Sequence, residues 1–189
     1  MPADTQFLPA DGRLDEPNPS TMDGLPLPGV YVVRRERCVA ELTARLLGIR
    51  WLRGRLTVRN AAFEIDPGGH VLVVELDAVS LWTTIPLLAK VLTGKTALRA
   101  EEFPSSTFTS DEVALFEKTV KIAGQIDVAG SPRDLYLEGE LRPVEPGRVI
   151  LWLRGTLPPP RRRPAESGRT ARFLARRPVH VEFAAEFVR

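Results

Sequence analysis

Apolar and polar residues alternate with a period of two along most of the chain. Cys38, Ala40, Leu42, Ala44 and Leu46 fall on one side of a stretch whose other side carries Arg37, Glu41, Thr43 and Arg45. The period returns in Leu72-Val74-Leu76-Ala78, Val120-Ile122-Gly124-Ile126-Val128 and Leu135-Leu137-Gly139-Leu141. It returns again in Val149-Leu151-Leu153-Gly155-Leu157 and in Val179-Val181-Phe183-Ala185-Phe187. Successive side chains of a strand point to opposite faces, so each stretch reads as a strand with one buried face. With turn residues between them, these strands imply an all-β protein, an antiparallel sandwich or a closed barrel. A barrel of about eight strands either fills its interior with side chains or holds one small ligand there.

The first strands are expected near Val30–Val33 and Arg37–Leu46, with the next beginning at Trp51. In Leu52-Leu56-Val58 the even positions are apolar, whereas in Ala61-Phe63-Ile65 the odd ones are. That change of phase around Asn60 predicts a bulge or sharp bend. Asp66-Pro67-Gly68-Gly69 predicts a hairpin turn. Between Ile85 and Leu92 the alternation stops; Pro86 suits a first helical turn and Gly94 a stop, so one short helix or plug is expected near residues 86–94. Thr107–Phe116 with Thr119–Val128, and Leu135–Leu141 with Arg148–Leu157, read as hairpins. Residues 1–27 are polar and proline-rich and predict a disordered or loosely packed arm, leaving 28–189 as a single domain. Pro158-Pro159-Pro160 must end a strand, because proline donates no ladder hydrogen bond, so a mobile loop is expected near 158–177.

Composition narrows the chemistry. With 189 residues, 43% of them hydrophobic, the chain can build one real core. Its formal net charge is only +2, with both signs interspersed through the strands. Arg50, Arg53, Arg55 and Arg59 near Trp51 could suggest a nucleic-acid groove, but Arg53, Arg55 and Arg59 alternate with Leu52, Leu56 and Val58 as a wet strand face does. Aromatics are 7% of the chain, few for a stacking platform, so no nucleic-acid partner is expected. Cys38 is the only cysteine, which excludes an intrachain disulfide, and its place on an apolar track reads as a small buried hydrophobe rather than a nucleophile. His70 follows a Gly-Gly turn and His180 lies on a polar face beside Glu182; both read as wall or turn histidines, and no metal or cofactor is implied. No run approaches the ~20 apolar residues of a transmembrane segment, and no leader pattern opens the sequence, so a cytoplasmic location is expected. Ser80, Thr83 and Ser110 have no sequence-level case for activation by a neighbouring base, and no nucleophile or phosphate-loop motif is present.

Several passages together resemble the YceI-like family. Pro28-Gly29-Val30-Tyr31-Val32 is similar to its first strand, and Leu42-Thr43-Ala44-Arg45, Gly48 and Arg53-Gly54-Arg55-Leu56 to its next passage. Asp77–Thr83 is similar to its serine- and threonine-bearing passage. The strongest match runs from Leu98-Arg99-Ala100-Glu101-Glu102-Phe103-Pro104 through Thr107-Phe108-Thr109-Ser110, followed by Gly124–Gly130. Arg34-Arg35-Glu36-Arg37 stands where the family has an early Asp and a His-Ser pair. The resemblance implies a lipocalin-like closed antiparallel barrel and noncatalytic binding or carriage of a long apolar ligand, an isoprenoid or fatty chain, in its interior. It also implies a homodimer.

The candidate ligand-facing residues are Ala40, Leu42, Leu46, Leu76, Val79, Trp82, Phe108, Ile122 and Ile126. Trp82 would line the mouth or serve as a structural plug. Small residues on the inward tracks, Ala40, Ala44, Gly124, Gly139 and Gly155, would leave room for the ligand. The same alternation equally predicts a structural or protein-interaction barrel with a packed interior and no ligand. An enzyme using Trp82, Tyr136 or Glu138 ranks below both, because no acid–base pair follows from spacing.

Overall fold

The fold is taken from a computed structural model that describes residues 26–46, 49–95, 97–159 and 178–189. The strands are β1 (Gly29–Leu46), β2 (Ile49–Asp66), β3 (Gly69–Thr83), β4 (Ser105–Phe116), β5 (Thr119–Asp127), β6 (Pro132–Glu145), β7 (Arg148–Leu157) and β8 (Val179–Val188), with one helix, α1 (Pro86–Thr93), between β3 and β4. Each strand pairs antiparallel with the next, and β8 returns to β1, so the sheet closes into a barrel in chain order. Closure settles the choice between sandwich and barrel. The expected arm at 1–27 and loop at 158–177 fall almost wholly outside the described residues.

Where two strands were expected before Gly48, the structure has one. Val33 pairs with Phe187 and Cys38 already pairs with Ala185, so Arg34–Arg37 bulge out of an otherwise continuous β1. The bulge is pinned from outside the core by Glu186, whose carboxylate accepts hydrogen bonds from Arg34 Nη1 and Arg37 Nη1, both at 3.0 Å. Arg148 Nε adds a third cation at 2.9 Å. β2 likewise runs unbroken through a register shift between Val58 and Asn60, which moves its inward positions from even to odd as its sequence predicts.

Another irregularity lies in β3, where Thr57 pairs with Asp77 but Arg55 already pairs with Trp82. The extra residues are tied down locally. Ser80 Oγ donates to the Asp77 carbonyl at 2.7 Å and accepts from the Thr57 amide at 2.8 Å, and Asp77 Oδ1 accepts from the Val79 amide at 2.9 Å. Beyond this bulge Leu81 and Thr83 are buried, in place of the even positions that were buried before it.

Two apolar clusters occupy the inner face. The larger includes Tyr31, Phe63, Leu72, Phe108, Leu151 and Phe187. Phe187 packs edge-on against Phe63 at 6.3 Å between ring centres and against Phe183 at 6.5 Å. The smaller lies at the opposite end, where α1 sets Leu88 and Leu92 against Ala44 and Leu52. Pro86 opens the helix as expected, the Leu88 amide donates to the Ile85 carbonyl at 2.9 Å, and Gly94 ends it. No helix among the described residues is long and apolar enough to cross a membrane.

Candidate functional site: the barrel interior beneath the helix

Between the two clusters the inner face is apolar but incompletely sealed. Leu42, Leu56, Val179 and Val181 sit on inward tracks yet are only half-buried. The register makes them neighbours: Leu42 pairs with Val181 and with Gly54, Ala44 with Val179, Ala40 with Leu56, and Gly155 with Val181. The tract is therefore a patch of branched aliphatics and glycines under α1. It offers contact area to an apolar chain, and beside it the buried Thr83, paired with Gly54, spends its hydroxyl on the Ile85 carbonyl at 2.7 Å.

The candidate residues divide on this framework. Ala40, Leu76, Phe108, Ile122 and Ile126 face inward and are buried in the larger cluster. Leu42 faces inward within the half-buried tract, and the side chain of Leu46 lies outside the described residues. Val79 and Trp82 do not line the interior: they are 60% and 56% exposed. Val79 is an odd position beside the inward Leu72-Val74-Leu76-Ala78 track and points outward by that alternation, whereas the β3 bulge reverses the phase and turns Trp82 outward with it. Leu56, Val179 and Val181 belong to the tract although they were not among the candidates; their alternation was readable, their partial exposure was not.

The inward glycines do not serve to leave room. A Cβ on Gly139 would lie 1.8 Å from the Trp152 carbonyl oxygen, one on Gly155 2.2 Å from that of Tyr136, and one on Gly124 2.3 Å from that of Thr109. Each glycine lets the backbone of an adjacent strand approach, which is how the sheet from β4 to β7 coils tightly enough to close.

A concavity of about 990 Å³ is bordered mainly by side chains opposite the core, among them Glu41, Arg53, Tyr136, Glu138, Trp152 and Arg154; Ile122 of the candidates, and Gly155 and Val181 of the half-buried tract, also reach it. Several of its charges are paired. Glu41 accepts from Arg53 Nε and Arg55 Nε, both at 2.7 Å. Burial alone would raise the Glu41 carboxyl, but the hydrogen bonds and charges of these two arginines prevail and hold it below the usual carboxylate range. Trp152 Nε1 donates to Glu182 at 2.8 Å, Arg154 lies 3.3 Å from Glu138 and over the Trp152 ring, and Thr156 and His180 share a 3.1 Å contact. A polar wall of this kind suits solvent better than an apolar tail. Among the described residues no group of three or more His, Cys, Asp or Glu is placed to hold a metal. Cys38 Sγ lies 3.0 Å from the Arg35 carbonyl, and burial pushes its thiol above the ordinary value, so it is no activated nucleophile.

A closed eight-stranded antiparallel barrel with an apolar interior and a helix over one end defines a lipocalin-like architecture. The family model described as the YceI-like domain matches residues 31–173, and the chain belongs to that family. Among solved structures, Burkholderia cenocepacia BcnA matches with a TM-score of 0.62 at 15% identity, over 82% of this chain and 98% of its own. The Campylobacter jejuni YceI protein matches with a TM-score of 0.58 at 19% identity, over 75% and 87%. A polyisoprenoid binding domain from Saccharophagus degradans matches with a TM-score of 0.57 at 11% identity, over 86% and 99%. At these identities the three structures establish the fold. Compared by sequence with curated proteins, the chain has no match.

Proposed function

We propose that this protein is a noncatalytic carrier of a long apolar chain, an isoprenoid or a fatty tail, held in the barrel beneath α1. The observation that carries the reading is the inward tract of Leu42, Leu56, Val179 and Val181, which is apolar, contiguous and left half-buried between two packed clusters. Membership of a family of binding-type barrels supports it, as does the likeness to a domain that binds polyisoprenoids. Each methylene buried there would contribute about 0.8 kcal/mol, so a chain of about ten carbons could be retained without a charged clamp for its head.

Native mass spectrometry of the gently purified protein tests this. The expected result is a bound apolar adduct, or uptake of an added prenyl alcohol or fatty acid, which Val181→Trp abolishes while the fold survives. A homogeneous apo mass that takes up neither ligand overturns the carrier. It would favour the packed interaction barrel instead.

A further inference from the structure

The bulge in β3 and the start of α1 leave large apolar side chains in solvent within a few residues of one another. Val79 is 60% exposed, Trp82 56%, Ile85 38% and Leu87 75%. Val79 points outward with the odd positions of β3, the bulge turns Trp82 outward as well, and α1 commits Leu88 rather than Leu87 to the core. Contiguous exposure of this kind marks a contact surface. Here it lies at the end of the barrel that α1 covers, beside the half-buried tract.

Cations flank it. Arg45, Lys90 and Lys95 are exposed and form no ion pair among the described residues. Arg53 and Arg55 lie on the neighbouring strand, joined to Glu41. The first turn of α1 has no acidic residue. Of the acidic residues near it in the chain, Asp77 lies 3.3 Å from Arg59 and Glu102 is held by Arg99 at 3.0 Å, while Glu101 is exposed in the loop that follows α1. A tryptophan and two branched aliphatics rimmed by lysine and arginine have the composition that seats in the boundary between headgroups and acyl chains of an anionic bilayer.

We propose that the α1 end docks on an anionic lipid surface, with Trp82, Ile85 and Leu87 entering the headgroup boundary and Lys90 and Lys95 meeting the lipid charge. The use of this docking rests on the carrier reading: an apolar cargo would pass between bilayer and barrel without crossing bulk water.

Flotation of the full chain with vesicles tests the surface directly. Vesicles of phosphatidylcholine with about three-tenths phosphatidylglycerol should carry the wild-type protein upward, and pure phosphatidylcholine vesicles should carry far less. Trp82→Ser with Leu87→Ser, and separately Lys90→Glu with Lys95→Glu, should each reduce partitioning about tenfold with the thermal midpoint unchanged. Val144→Ser, at an exposed position of β6, should change nothing. Absence of wild-type flotation, or variants that float like wild type, overturns the proposal. So does light scattering that shows a dimer dissociated by the Trp82/Leu87 pair in a protein that does not float, because the patch would then join two copies. Native mass spectra without vesicles separate the two readings: flotation without any prenyl adduct keeps the docking surface and removes the carrier.

Discussion

The two halves of this barrel are built from one alternating pattern and finish differently. Around β1 before its bulge and the end of β8, Tyr31, Phe63 and Phe187 are wholly buried, and their rings fill the axis. Toward α1 the same inward tracks carry Ala44, Gly54, Gly155, Val179 and Val181, of which Gly155, Val179 and Val181 remain partly accessible. The period decides which face is inside, whereas side-chain volume decides whether the inside is closed. One half is thus a structural core, and the other is the place where a ligand could be added without displacing one.

The largest test of that contrast is truncation in each half. Phe187→Ala should cost about 3–5 kcal/mol, since the site is ringed by other buried side chains and cannot collapse. Val181→Ala should cost about 1 kcal/mol, because the methyl groups removed are already partly in contact with solvent. Urea unfolding of both variants reads the difference. Equal losses would mean that the two halves are packed alike.

The glycines offer a second test, on the wall rather than the core. Gly139→Ala places a methyl group where the Trp152 carbonyl already stands, and relief requires β6 and β7 to separate. A loss of about 1–3 kcal/mol is expected, a typical overpacking cost. A neutral or stabilising result in thermal unfolding would show that the glycine is present for room, as composition alone suggests, and not for curvature.

That distinction marks where the sequence stops being legible. Alternation located every strand after Asp66, the helix and the phase change at Asn60, because each is a local consequence of which side must be dry. It could not join Val30–Val33 to Arg37–Leu46, since the bulge between them is held by Glu186, far away in the chain. Nor could it place Trp82: Asp77-Ala78-Val79-Ser80 reads as continuing strand until the Ser80 hydroxyl is seen replacing ladder partners, whereas Val79 lies outward by the alternation of Leu72-Val74-Leu76-Ala78 itself. Within the candidate site, inward facing was readable for Ala40, Leu42, Leu76, Phe108, Ile122 and Ile126. Which of them are sealed depends on volumes contributed by strands on the far side of the barrel, and those are tertiary facts.

Acid should probe both halves through their buried carboxylates. Glu186, beside the aromatic core, is nearly inaccessible; burial acts to raise its carboxyl, but hydrogen bonds from Arg34, Arg37 and Arg148 more than offset this and depress it. Glu41, on the helix side, is depressed in the same way by Arg53 and Arg55. A carboxyl depressed by folding stabilises the native state above its unfolded value, about 4.3, and that contribution is lost as pH falls through the lower folded value. The thermal midpoint should therefore drop on acidification below about pH 4. Glu186→Gln should flatten that drop and lower the midpoint at neutral pH, while an unchanged acid profile in this variant would show that the bulge does not depend on its carboxylate.

The smallest effect is expected at Cys38, which lies just past the β1 bulge where the two halves meet. Its side chain is half-buried against the larger cluster, and burial raises the thiol first, with Glu36 adding to the rise and Arg35 opposing it. At pH 8 an aromatic disulfide reagent should label it several-fold more slowly than it labels the urea-unfolded chain, because thiolate fraction and access are both reduced. Loosening the bulge should restore part of that rate. Glu186→Gln is expected to speed labelling modestly, since Arg34 and Arg37 lose their shared charged anchor and the segment before Cys38 opens more often. Labelling of the folded wild type as fast as the unfolded chain would place Cys38 in open solvent, and would mean that the sealed half ends before the bulge rather than at it.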